Sequence, residues 1–202
     1  MTTVARKPRG QYGKTAARRQ EIVDAAVEVF GTMGYNKGSL REVADRVGMS
    51  QAGLLHHFPS KESLLEAVLT WRDDDARAML GEPMPTGVDL LRGLVELARI
   101  NEGRPELIEL HVIVSGEGTS AEHPLHAYFV RRYEYVFGLF KGAFDEAAER
   151  GELRPGVDSA VSSRAVIALL DGLQLQWLLH RDQVDMAAEL RRYLQLLVTV
   201  DI

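Results

Sequence analysis

The sequence predicts an all-α protein of about nine helices, a three-helix N-terminal unit followed by a longer helical unit. Three observations carry that prediction. Apolar residues recur at spacings of three and four along most of the 202 residues. No segment shows the sustained alternation of a half-buried strand. Glycine, proline and helix-capping residues cut the chain at intervals suited to helices of ordinary length.

The first helix is expected near residues 16–33, where Ile22, Ala25, Ala26, Val29, Phe30 and Met33 share one face and Gly34 ends the run. Ser39-Leu40-Arg41-Glu42 has the form of a capping box and opens a short helix over 40–47. Gly48 breaks it, and Ser50 caps a third helix over 51–57. Phe58-Pro59-Ser60 stops that helix, and Ser60 caps a longer one from Lys61 to about Leu80. Gly81, Pro83, Pro85 and Gly87 mark the next break. A fifth helix near 87–101 and a sixth near 105–116 are separated by Glu102-Gly103-Arg104-Pro105. The sixth contains the β-prone run Leu110-His111-Val112-Ile113-Val114. After a loop over 116–124, Pro124 suits the first turn of a seventh helix with an apolar stripe from Leu125 to Ala147. The eighth is expected from about Asp158 to His180 and the ninth from about Asp185 to Val200.

Hydrophobic residues make up 46 % of the chain, enough for a real core. The absence of cysteine excludes disulfides, thiol nucleophiles and zinc–thiolate sites, and fits a cytoplasmic setting. No run is apolar enough to span a bilayer, and the basic N-terminus lacks the apolar stretch of an export signal, so no membrane partner is expected. The net charge of −5 hides an asymmetry. Residues 1–61 hold ten Lys and Arg against five Asp and Glu, and residues 62–202 hold fourteen against twenty-four. A basic head on an acidic body expects a polyanion at the head alone. Residues 1–15, with Arg6, Lys7, Arg9 and Lys14, are expected to form a flexible basic arm.

Two short helices joined through a glycine and flanked by longer ones fit a helix-turn-helix over 16–61. Val43, Val47, Met49 and Leu54 are spaced to face inward, with Ala44 small where the helices cross. That leaves Gln51, Ala52, Gly53, His56 and His57 on the outer face of the third helix, which must enter the major groove. Gln51 can pair with an adenine edge and Ala52 can rest on a thymine methyl. His56, His57 and Lys61 suit phosphates, as do Ser39 and Arg41 at the start of the second helix.

The stretch from Ser39 to Ser50, followed by Gly53-Leu54-Leu55-His56-His57-Phe58-Pro59-Ser60-Lys61-Glu62, resembles the TetR family of transcriptional regulators, as does Ile22 to Tyr35 before it. The resemblance covers about a quarter to a third of the chain. Leu55 departs from the family's usual tyrosine, which contacts a phosphate; leucine has no hydroxyl to donate. The resemblance implies a one-component repressor, released from double-stranded operator DNA by a small-molecule effector. The DNA-facing set expected is Arg18, Ser39, Leu40, Arg41, Ser50, Gln51, Ala52, Gly53, His56, His57 and Lys61.

Residues 62–202 are expected to bind the effector and to dimerise. A lone helix-turn-helix contacts little DNA, and two copies on a two-fold axis fix the half-site spacing. The eighth and ninth helices are apolar over more than one stripe, and in the family they form a four-helix homodimer interface. The expected interface is Ala165, Leu169, Gly172, Leu173, Gln176, Leu190, Leu194 and Leu197. The effector pocket is expected among Trp71, His111, Tyr128, Arg132, Phe137, Gln174 and Trp177, with Met79 and Tyr135 as further candidates. No HExxH, P-loop or dinucleotide fingerprint is present, and no catalytic residue, cofactor or metal is expected. His123 and His126, three apart, read as a surface pair. The competing reading is a helical adaptor or small-molecule-binding protein that does not bind DNA, which salt-sensitive duplex binding separates.

Overall fold

The computed structural model describes residues 9–202, with side chains from residue 15. The expected basic arm lies outside the described residues as far as residue 8, and residues 9–15 form the first turns of α1. Among the described residues there are nine helices: α1 (Arg9–Lys37), α2 (Leu40–Arg46), α3 (Gln51–His57), α4 (Lys61–Leu80), α5 (Gly87–Glu102), α6 (Pro105–Glu117), α7 (His126–Glu149), α8 (Ser159–Leu179) and α9 (Met186–Gln195). None is long and apolar enough to cross a membrane.

Local chemistry sets these boundaries. Gly34, at φ 70° and ψ 178°, breaks the helical path of α1, so its last three residues turn away from the axis. The Ser39 hydroxyl accepts from the Glu42 amide at 3.2 Å and the Glu42 carboxylate accepts from the Ser39 amide at 2.9 Å, closing the predicted capping box. Gly48 at φ 63° turns the chain between α2 and α3 without the penalty a Cβ would bring. The Ser50 hydroxyl accepts from the Gly53 amide, and Ser60 and Ser63 cap each other's amides, each at 3.1 Å.

The β-prone run in α6 is helical. Pro105 starts the helix, and Leu107, Ile108, Leu110, His111 and Val114 are all buried; burial on several faces overrides the local preference.

α1 runs from Arg9 to Lys37, longer at both ends than the expected 16–33, and two later boundaries also differ from the expectation. α7 starts at His126, not in the turn of Pro124. The amide of His123 donates to Ser120 O at 3.1 Å and that of Leu125 to His123 Nδ1 at 3.2 Å, so residues 120–125 are held as successive turns. α9 ends at Gln195 instead of running to Val200. There the Arg154 amide donates to Leu197 O at 2.9 Å and the Thr199 amide to Glu152 O at 2.8 Å, an antiparallel bridge that draws the chain off the helix axis.

Two hydrophobic clusters result. One joins α1 to α4 through Ile22, Ala26, Phe30, Val43, Leu54, Phe58, Leu64 and Leu65, and continues into α6 and α7 through Leu107, Leu110, Val114, Leu125 and Phe129. The other packs α5, α7, α8 and α9 around Leu91, Phe140, Phe144, Val166, Leu190 and Leu194. α6 runs alongside α1 and touches both clusters, so the head rests on α6 as well as on α4.

Candidate DNA-binding face and internal cavity

α3 is held by one residue. Leu54 is fully buried, and Leu→Ala changes at such positions cost about 2–5 kcal/mol. Gln51, Ala52, Leu55 and His56 are exposed around it, with Gly53 and His57 partly so. A short helix with one buried anchor and a polar outer face can lie in a groove without losing its support. Arg41 is exposed at the start of α2, its carboxylate neighbour Asp45 at 3.9 Å. The Lys61 ammonium stands 4.4 Å from the centre of the Tyr35 ring and donates to Asn36 O at 3.4 Å. Burial pushes that ammonium below its ordinary pKa, while Glu62 and Glu117 pull the other way. Burial, with His56 and the Arg19 and Arg18 guanidinia, pushes His57 down as well.

Several expected DNA contacts have other partners. Arg18 Nη2 donates to Val47 O at 2.8 Å and Nη1 to Glu21 at 2.5 Å, which pins α1 to the end of α2. Leu40 packs against the head cluster. The hydroxyls of Ser39 and Ser50 are engaged as caps. Arg19, whose role the sequence did not single out, donates to His57 O at 2.5 Å and stacks on Phe58 with 4.1 Å to the ring centre.

Beneath the head, α4 to α8 line a partly open cavity of about 140 Å³. Its apolar wall includes Leu94, Leu97, Leu139, Phe140 and Ile167; its polar wall includes Arg72, Asp73, His111, Arg132, Tyr133, Asp171 and Gln174. Arg132 Nε donates to Asp73 at 2.9 Å, and the Tyr128 hydroxyl donates to the same carboxylate at 2.5 Å. The Tyr133 hydroxyl donates to Asp171 at 2.8 Å, and His111 Nε2 lies 3.4 Å from its other oxygen. Burial, with Arg72 close by, pushes His111 down to about 3, so the ring is neutral. Burial likewise draws Arg72 down to about 10, with Arg132 adding repulsion. Burial alone would raise Asp73 and Asp171, but Arg132 and Tyr128 hold the first below the ordinary carboxylate range and His111 and Tyr133 the second.

Of the expected pocket residues, His111, Arg132 and Gln174 line the cavity, with Tyr135 from the wider candidates. The other four do not. Trp71 faces the groove between α1 and α4, about a hundred degrees round the helix from Arg72. Tyr128 packs on the head cluster and reaches the site only through Asp73. Phe137 lies under the Arg164 guanidinium in the groove between α7 and α8, because Tyr133, Val136 and Phe140 take the inward face. Trp177 is 5 % exposed within the body cluster, covered by Arg181. Met79 is exposed on α4. Sequence reasoning missed Arg72, Asp73 and Asp171; a run of acids beside an arginine at 72–75 reads as a solvated helix face, and Asp171 is a lone acid in an apolar stretch of α8.

Three expected interface residues are enclosed within one protomer. Leu190 and Leu194 are fully buried where α9 packs on α5, and Leu173 is buried in the same cluster. Ala165, Leu169, Gly172, Gln176 and Leu197 remain at or near the surface. Beside them, Val161, Leu175, Leu179 and Leu196 are large exposed apolar residues. His123 stacks edge-on to Tyr35 and accepts from the Leu125 amide through Nδ1, its Nε2 being buried without a partner, and His126 Nδ1 lies 2.9 Å from Gly118 O. Among the described residues no group of three or more His, Asp and Glu is placed to hold a metal ion.

Comparison with known proteins agrees with this geometry. Residues 22–68 match the model of bacterial regulatory proteins of the tetR family, and residues 109–199 match that of the BetI-type transcriptional repressor C-terminal domain. The HTH-type transcriptional regulator UidR of Escherichia coli K12 is 26 % identical over 160 residues, covering 77 % of this chain and 79 % of that protein. RaaS of Mycobacterium tuberculosis is 28 % identical over 173 residues, covering 85 % of this chain and 77 % of its own. A solved structure described as the molecular basis for control of antibiotic production by bacterial hormones superposes with a TM-score of 0.69 at 28 % identity, over 91 % of this chain and 98 % of the other. The capped helix pair, the bodies behind it and these matches agree: the chain belongs to the TetR family of transcriptional regulators.

Proposed function

We propose that this DNA-binding regulator is a homodimeric repressor that leaves its operator when a small molecule fills the cavity below the head. Residues 16–61 act as the DNA-binding unit and residues 62–202 as the sensing and dimerising unit. The observation that carries the reading is α3 itself: Gln51, Ala52 and His56 stand exposed on a short helix whose one buried residue is Leu54. Gln51 and Ala52 read base edges, and Arg41, His56, His57 and Lys61 meet the phosphates. Ser39 and Ser50 fix the entry angle of each short helix through their caps. Arg18 and Leu40 support the unit from behind.

The dimer face runs down α8 through Val161, Ala165, Ala168, Gly172, Leu175 and Leu179, one position every three or four residues, with Leu196 of α9 beside it. Small residues in the middle of that stripe let two helices approach closely. Two copies of α3 are then presented on one side of a duplex.

Two helices connect the cavity to the head. α4 carries Arg72 and Asp73 in the cavity wall and Lys61 at the head. α6 carries His111 in the wall and, six residues on, Glu117, which accepts from the Tyr35 amide at 2.7 Å. A molecule that moves either helix changes the spacing of the two α3 helices, and its effect equals its difference in affinity for the two arrangements.

Selection of duplexes from a random pool by the purified full-length protein tests this reading. Enrichment of a two-fold symmetric site, bound less tightly as salt rises, is the expected result. No enriched site, or binding indifferent to salt, contradicts it and favours the adaptor reading.

A further inference from the structure

The three carboxylates of the cavity wall are each held by neighbouring side chains. Asp73 is held by Arg132 and Tyr128, Asp171 by Tyr133 and His111, and Asp75 by Arg104 at 2.5 Å. Two buried atoms on this wall have no partner: His111 Nδ1 and Gln174 Oε1. His111 is 3 % exposed. A carboxylate can only accept, so the His111 nitrogen facing Asp171 carries the hydrogen and Nδ1 presents a bare lone pair. Gln174 Oε1 is an acceptor too. Buried acceptors left unpaired cost free energy that an incoming donor recovers.

The rest of the cavity limits what can bring that donor. Its volume of about 140 Å³ matches the size that takes a single benzene ring. Leu94, Leu97, Leu139, Phe140 and Ile167 ask for an apolar body. A cation would stand near the Arg72 and Arg132 guanidinia, which already share Asp73. An anion would meet two unpartnered acceptors and the carboxylates of Asp73, Asp75 and Asp171 on the same wall.

We propose that the cavity selects a neutral, single-ring apolar molecule bearing a hydrogen-bond donor, a phenol or a compound of like chemistry, held through Gln174 Oε1 and His111 Nδ1. The proposal rests on the reading of this cavity as the effector site and narrows it to a ligand class.

Calorimetric titration of the full-length protein at neutral pH separates the cases. The probes are 4-methylphenol, donor-free 4-fluorotoluene, anionic 4-methylbenzoate and the phenyltrimethylammonium cation. 4-Methylphenol is expected to bind about ten-fold more tightly than each of the others, the advantage of one recovered hydrogen bond. In Gln174→Leu, which keeps the shape of the side chain, and in His111→Gln, which keeps a donor for Asp171, the margin over 4-fluorotoluene is expected to shrink. Equal binding of 4-fluorotoluene, or tighter binding of either ion, overturns the ligand class and leaves the cavity standing as an effector site. A margin unchanged in both variants overturns the assignment to these two atoms. Failure of all four probes at millimolar concentration overturns the ligand class and the effector reading together.

Discussion

The carboxylate of Glu117 accepts a hydrogen bond from the backbone amide of Tyr35 at 2.7 Å, joining residues 82 positions apart. Its second oxygen takes the Asn36 side-chain amide at 3.1 Å. The last turn of α6 thereby clamps the point where Gly34 breaks α1. A Cβ at Gly34 would stand 2.8 Å from that same carboxylate, so the glycine makes room for the clamp as well as the turn.

Glu117→Ala removes the acceptor and leaves the Tyr35 amide unpaired. Stability should fall by about 1–3 kcal/mol, read from urea unfolding. Operator affinity should fall further than stability alone explains, because the α1–α2 turn loses its fixed position. An affinity equal to that of the intact protein, measured where both are fully folded, excludes Glu117 from the path between body and head.

Gln51→Ala should relax base preference at one position in each half-site, with a loss of about 1–3 kcal/mol there. Lys61→Ala should weaken all sequences alike and reduce the salt slope by roughly one unit. Titrations of matched and single-mismatch duplexes at several salt concentrations separate these two outcomes. A uniform loss for Gln51→Ala would make it a backbone contact.

Stability should fall with acid before the carboxylates titrate. His111 is held down to about 3 in the fold, against 6.5 when unfolded, by burial and by Arg72. The unfolded chain therefore binds more protons in that interval, and stability is lost as pH falls from 6.5 towards about 3, at up to about 1.4 kcal/mol per unit. Asp73 and Asp171, also depressed, add a loss of the same sign once pH falls below their ordinary value of 3.8. His111→Gln should flatten the upper part of that curve in urea titrations. The same slope in the variant assigns the loss elsewhere.

A charge at Ala168 or Leu179 on the exposed face of α8 should disrupt the pair while sparing the protomer. Ala168→Glu and Leu179→Glu are expected to sediment as monomers at micromolar concentration with unchanged helical content, and to bind operator more weakly. Dimers that persist in both variants place the interface elsewhere.

The head was legible because its signals are local. Ser39 with Glu42, Gly48, Ser50 and Ser60 each act within three or four residues, and the predicted caps are the observed caps. The body was less legible because its decisions are made between helices. Leu190, Leu194 and Leu197 share one face of a helical wheel, yet the first two are fully buried where α9 packs on α5 and the third is only partly buried. Trp71, Phe137 and Trp177 suggested a pocket by size, but the first faces the groove between α1 and α4, the second the groove under Arg164, and the third is buried in the body cluster. Asp73 is hidden in an acidic run and Asp171 is a single acid among apolar residues, and what buries them depends on α7 and α6 arriving opposite. The end of α9 was missed for a similar reason: the residues after it bridge to 152–154, far away in sequence, the Leu197 carbonyl accepting from the Arg154 amide and the Thr199 amide donating to the Glu152 carbonyl.

Hydroxyl-radical footprinting of the full-length protein on its selected duplex tests the central claim most directly. Two copies of α3 on a two-fold axis predict two protected patches on one side of the helix, spaced by one turn of about ten base pairs or a multiple of it. A single patch, or protection unaffected when Gln51 and His56 are both replaced by alanine, would contradict the account.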